Sequence, residues 1–150
     1  MYKTIVCSLL FCLAFTNANA QKKRLPVQVV SATSQTWVSG APGGRTGTNY
    51  VIKVYVNTDK DVKFQNLWLG QQNVPFSVEF TNTEIPKKIM QGDTLLLVAN
   101  VVNNEPSEKL LPERPPVKYK GGAIFETLVG GKHRYFIVSR FKQLASLRGE

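Results

Sequence analysis

The residue types that could carry chemistry are few, and their neighbours decide what each can do. His133 is the single histidine of the 150-residue chain. It stands in a hairpin-loop position between Lys132 and Arg134. A zinc-type centre needs several Cys or His ligands together, and the flanking cations would repel a metal ion. A solvated turn imidazole is therefore expected. A Ser-His-Asp triad would have to use this same histidine, yet no Gly-x-Ser-x-Gly elbow occurs. Two carboxylates suffice for glycoside hydrolysis. However, Asp59, Asp61 and Asp93 fall in evident turns, and Glu79 and Glu126 take outward strand positions where solvated faces are expected. The residues point to a non-enzymatic protein with no cofactor and no metal, and a carboxylate-dependent hydrolase is the catalytic alternative.

Binding chemistry has more to work with. In the loop Gly40-Ala41-Pro42-Gly43-Gly44-Arg45-Thr46-Gly47, backbone amides could cradle an anion and Arg45 could add a charge-assisted bond. A P-loop needs Gly-Lys-Ser/Thr opening a helix, whereas this loop opens a strand. A mobile connection in which glycine supplies positive φ is the plainer expectation, with Arg45 and Asn49 as a candidate ligand rim. Trp37, Tyr50, Tyr55, Tyr119 and Tyr135 are amphipathic and could stack on sugars or line a protein interface. Five positions on one strand separate Tyr50 from Tyr55, so only one of them faces the core. Tyr55 shares its side with Lys53, which makes it the better contact.

Charge is the broadest signal. The chain carries 19 Lys and Arg against 10 Asp and Glu, a net charge of +9. Much of it lies at Lys22, Lys23 and Arg24 and in the last third, including Lys118, Lys120, Lys132, Arg134, Arg140, Lys142 and Arg148. Such a surface attracts anionic partners, including acidic polysaccharide, lipid headgroups and nucleic acid. No recognition-helix or aromatic RNA-binding pattern appears.

Residues 1–20, MYKTIVCSLLFCLAFTNANA, read as a cleaved export signal. Lys3 leads an apolar run too short for a bilayer span, and Ala18-Asn19-Ala20 gives the small-x-small cleavage pattern. Export sets nucleic acid aside as the partner. Cys7 and Cys12 would leave with this leader, so the mature residues 21–150 hold no thiol for disulfide, metal or nucleophile. An exported, cysteine-free chain fits a bacterial periplasm, cell surface or extracellular setting. One domain is expected, of a size that can bury a core.

The elements that must position these groups are strands. Tyr50, Ile52, Val54 and Val56 alternate with Val51, Lys53, Tyr55 and Asn57 within residues 48–58, the period of a half-buried strand. Residues 25–30 predict a first strand, with a short edge strand to follow in 31–38. In 62–69 the apolar pattern slips from Val62 and Phe64 to Leu67 and Leu69, as a bulge would cause. Phe76, Val78 and Phe80 mark a fourth strand. Residues 94–102 read as a central strand covered on both sides. Residues 104–116 form a proline-rich excursion, and 117–129 and 133–141 form a hairpin whose arms, 123–129 and 134–138, pair across Gly130-Gly131-Lys132. Phe141 to Leu147 suggests a short amphipathic helix.

Six to eight strands without a helical period predict an all-β antiparallel sandwich of immunoglobulin-like architecture, with a small antiparallel barrel as alternative. Trp68 is expected as the buried core tryptophan of such a sandwich. The functional expectation is an exported binding or structural module of the cell envelope for an anionic or protein partner. Its contact surface would draw on Arg45, Asn49, Lys53, Tyr55, Lys132 and Arg134. A carbohydrate-binding module, or a subunit that adds a strand to a neighbour's sheet, are the other readings.

Overall fold

A computed structural model of the chain describes residues 24–41, 43–81, 88–103 and 114–149. The expected leader, the basic residues before Arg24 and most of the proline-rich excursion lie outside the described residues. Within them the chain is all-β, in two sheets. The first contains β1 (Val27–Val38), β2 (Thr46–Val56), β5 (Ser77–Phe80) and β6 (Thr94–Val102), ordered β1-β2-β6-β5. The second contains β3 (Val62–Leu69), β4 (Gln72–Asn73), β7 (Ala123–Val129) and β8 (Lys132–Val138), ordered β4-β3-β7-β8. All of these pairs are antiparallel. The order is that of an immunoglobulin-type sandwich, and the sheets do not close into a barrel.

Alternation explains which side chains meet between the sheets. Ile52, Val54 and Val56 of β2 and Leu95, Leu97 and Ala99 of β6 face Leu67 of β3, Phe125 of β7 and Phe136 of β8, all in one buried cluster. Phe125 and Phe136 stack with ring centroids 5.3 Å apart. Tyr50 belongs to this side and meets Phe141 edge-on at 5.0 Å, so Tyr55 takes the outer side. The slip in β3 is a bulge between Phe64 and Asn66, which returns Leu67 and Leu69 to the core.

Several expectations are corrected. Residues 27–38 form one strand, with a bulge between Val29 and Ser31, because β2 offers pairing partners along its whole length. Strand β6 is fully buried on one face only, since Leu96 and Val98 stay half-exposed. The strand covered on both sides is β7, where Ile124 and Glu126 are buried as well as Phe125. Trp68 is buried, but it points away from the core between Leu67 and Leu69, beside Ile124 on the outer face of the second sheet. The segment expected to be helical is extended. Its short strands β9 (Lys142–Gln143) and β10 (Leu147–Arg148) run parallel to β1 along its open edge. There the amides of Leu144 and Gly149 donate to the carbonyls of Ser34 and Val38. A strand edge with unmet backbone groups outweighs the weak helical pattern of these residues.

Candidate functional site

The mouth of the sandwich near the β7–β8 hairpin is built by two turns and the start of β1, tied together. Gly130 and Gly131, with φ of 57° and 77°, make the two-residue turn between β7 and β8. The Gly130 amide donates to the Asp61 carbonyl at 2.9 Å, which fastens this turn to the β2–β3 connection. The stem of Lys60 lies against Gly130, where a Cβ would stand 3.1 Å from the lysine Cδ. The Asn57 amide donates to Pro26 at 2.8 Å, so the start of β1 joins the same end. Residues far apart in sequence therefore converge. Arg24, Leu25, Lys60, Lys132, Arg134 and Tyr135 line a cleft of about 600 Å³.

The electrostatics of this cleft are one-sided. Its lining includes four permanent cations and His133, and no Asp or Glu. Among the described residues, none of Arg24, Lys60, Lys132 and Arg134 is held in an ion pair. Asp61, in the turn that carries Lys60, pairs instead with Lys63 at 3.8 Å and Lys88 at 3.9 Å. A second cleft of about 530 Å³ continues along β8 between it and β1, and shares Leu25, Tyr135 and Phe136 with the first.

His133 is exposed, as expected, but it is a bonded strand residue and not a free turn residue. It lies on β8, and its Nδ1 is 2.5 Å from Oε1 of Glu126. Tyr135 donates its hydroxyl to the same oxygen at 3.1 Å, and Asn66 donates Nδ2–H to Oε2 at 2.6 Å. Asn73 in turn donates to Asn66 Oδ1 at 3.2 Å. Glu126 is only 6% exposed, against the solvated face expected for it. Burial alone would push its carboxyl up. The bonds from Asn66, His133 and Tyr135, with the His133 charge, outweigh that and hold it below its ordinary range. Burial and the neighbouring Glu126 push the Tyr135 phenol up.

A carboxylate only accepts, so the contact assigns the proton to His133 Nδ1 and turns Nε2 outward. This is the carboxylate–imidazole half of a triad. Among the described residues no hydroxyl is bonded to His133 that would serve as nucleophile, and no group of three metal-ligating side chains occurs. What the network does is hold the His133 and Tyr135 side chains of β8.

The six residues singled out from sequence do not form one surface. Lys132 and Arg134 share the basic cleft. Lys53 and Tyr55 lie on the outer face of the first sheet, opposite Ser31 and Gln28 of β1. Arg45 sits at the far end of β2, about 34 Å along the strand from Tyr55 at roughly 3.4 Å per residue. Asn49 lies on the same outer face as Lys53, between Gln35 and Asn100. The glycine loop is a bonded turn: Ser39 N–H donates to Arg45 O, Gly44 N–H to Ala41 O, and Ala41 N–H to Ser39 Oγ. The amides of Ser39, Ala41 and Gly44 are thus spent inside the loop.

Sequence reasoning missed Lys60 and Arg24 as partners of Lys132 and Arg134, because their proximity arises from turn-to-turn bonds that no local pattern announces. It also missed Glu126, whose outward parity gave no sign that the outer face is covered there. No protein-family model and no curated protein matches the chain. Among the described residues no helix is long and apolar enough to cross a membrane.

Proposed function

We propose that this protein is an exported, non-enzymatic binding module of the cell envelope that holds an anionic partner in the cleft between the start of β1 and the β7–β8 hairpin. The observation that carries the reading is the gathering of Arg24, Lys60, Lys132 and Arg134 around one cleft without a carboxylate in its lining. Cations brought together at a concave, partly apolar site raise the local potential and draw in anions. The leader pattern in residues 1–20 supports export, and so directs the reading toward envelope anions.

The test is retention on an acidic-polysaccharide resin. The wild-type protein should bind at low salt and elute by about 0.5 M, where the Debye length is roughly 4 Å. The pair Lys132→Glu and Arg134→Glu should elute much earlier. The pair Lys118→Glu and Lys120→Glu makes the same charge change at a different surface hollow and should elute near wild type. Equal loss in both pairs would reduce the effect to general charge and sink the cleft reading.

A second reading has its own observation. The Trp37 indole lies against Gly47, where a Cβ would be 2.6 Å from the ring, and Nε1–H donates to Asn100 Oδ1 at 3.3 Å. Asn49 and Asn100 are cross-strand neighbours beside it. An indole laid along a sheet next to amide side chains suits a sugar ring. Binding to a neutral glycan array that vanishes in Trp37→Ala would favour this carbohydrate-binding alternative.

A further inference from the structure

Strand edges are where a sandwich is open to other chains, and this protein closes its edges unequally. In the first sheet β9 and β10 cover the second half of the β1 edge, at Thr33–Ser34 and Trp37–Val38, and β5 at the other side has four residues. In the second sheet β4 has two residues. Only β8, with seven residues, is a long strand that pairs on one side alone among the described residues. Its free backbone groups follow from the register. The Val129–Lys132 pair closes the two-residue turn and is hydrogen-bonded. Alternation then makes Thr127–Arg134, Phe125–Phe136 and Ala123–Val138 the bonded pairs. The N–H and C=O groups of His133, Tyr135 and Ile137 therefore point away from β7, toward the open side.

The same side is grooved. The two contiguous clefts run along β8, with Val27, Val29, Ala32, Phe136 and Val138 in the walls of the second. Ile137 is 47% exposed on the strand itself. One end of the groove holds the four cations and the other holds Arg140. Cationic side chains on an edge strand ordinarily deter pairing. Here they deter it selectively, because a second copy of this chain would bring a like set of cations into the groove, whereas an acidic strand would be attracted.

We propose that the free edge of β8 receives an extended segment of a partner polypeptide as an added strand, with apolar side chains at alternate positions in the β1–β8 groove and carboxylates beside Lys132 and Arg134. This names the partner class for the cleft and rests on the anionic-partner reading above. Main-chain bonds to three residues of β8 give the affinity, and the groove and the cations give the selectivity. The Glu126 network serves the same end by holding the His133 and Tyr135 side chains on the outer face, clear of the incoming backbone.

The experiment uses the ¹⁵N-labelled protein and a synthetic peptide of three Val-Thr repeats with two glutamates, prepared with the glutamates at either end. Added strand pairing should slow amide exchange at His133, Tyr135 and Ile137 at least tenfold. Arg134 and Phe136, already bonded to β7, should change little. N-methylation of the peptide at alternate residues should weaken binding at least tenfold, as should Ile137→Pro, which removes one outward N–H at an edge where proline is tolerated. Inorganic polyphosphate is the control for charge alone. If polyphosphate binds but neither peptide does, or if N-methylation and Ile137→Pro leave peptide binding unchanged, strand addition is refuted while the anionic cleft stands. If polyphosphate and both peptides all fail to bind, both readings fall. A concentration-dependent dimer lost in Ile137→Pro would identify a second copy as the occupant and overturn the proposal.

Discussion

Replacing Glu126 gives a quantitative test of the polar network behind β8. Glu126→Gln keeps the shape and removes the charge. The new amide can still accept from Asn66 and present its NH₂ to the Tyr135 oxygen and to the other tautomer of His133. What is lost is charge assistance. Hydrogen bonds to an ionised group contribute about 1.5–3 kcal/mol against about 1 for neutral ones, and the His133 arm, with its side chain 59% exposed, counts for less because solvent screens it. A loss of roughly 1–2 kcal/mol is expected at pH 7. Glu126→Leu leaves the part-buried Asn66 amide without its acceptor and should cost more, about 2–4 kcal/mol. For a domain of this size the Gln variant should melt roughly 3–8 °C lower. The assay is thermal unfolding from pH 7 to pH 3. The Glu126 carboxyl is held below its ordinary range in the fold, so its contribution is full above an ordinary glutamate pKa of about 4.3 and is lost as pH falls through the folded value. The gap between wild type and Glu126→Gln should therefore narrow toward pH 3. Equal stability of the two proteins at pH 7, or a gap that does not change with pH, would refute the account of a charged, bonded carboxylate.

Other perturbations test the frame that carries the site. Gly47→Ala places a Cβ 2.6 Å from the Trp37 ring and 2.7 Å from the Val101 carbonyl, and should destabilise by about 1–3 kcal/mol in denaturant titration. Combining it with Trp37→Ala should recover only part, because the carbonyl contact remains. Thr127 is fully buried, and its Oγ1 has no hydrogen-bond partner. Thr127→Val should thus raise stability by about 1 kcal/mol in the same titration. Ending the chain before Lys142 uncovers the β1 edge and should give concentration-dependent association by light scattering.

Much of the frame was legible because alternation is a local property of an extended chain. Residues 48–58 announce a strand with Ile52 and Val54 inward and Lys53 and Tyr55 outward, and the structure places them so. The slip at Phe64 to Leu67 is a bulge, and Gly130-Gly131 turn a hairpin, because a phase change and positive φ both leave marks on residue type. Parity, however, says which face a side chain takes and not what lies on that face. Parity and residue type send Glu126 to solvent and Trp68 to the core. Both are buried on the outer side of the second sheet, where the Tyr119 hydroxyl reaches over to donate to the Gly70 carbonyl at 2.8 Å.

The amino-acid sequence by itself determined the all-β class, the strand phases and the positive charge, since these depend on residue type and near spacing. Only the tertiary structure decided that Phe141 to Leu147 is extended, because its alternative to a helix was the vacant edge of β1, which is far away in sequence. It also decided that Arg24, Lys60, Lys132 and Arg134 meet. Their meeting depends on the bonds from Asn57 to Pro26 and from Gly130 to Asp61, and long-range bonds of that kind leave no trace in the spacing of the residues they join.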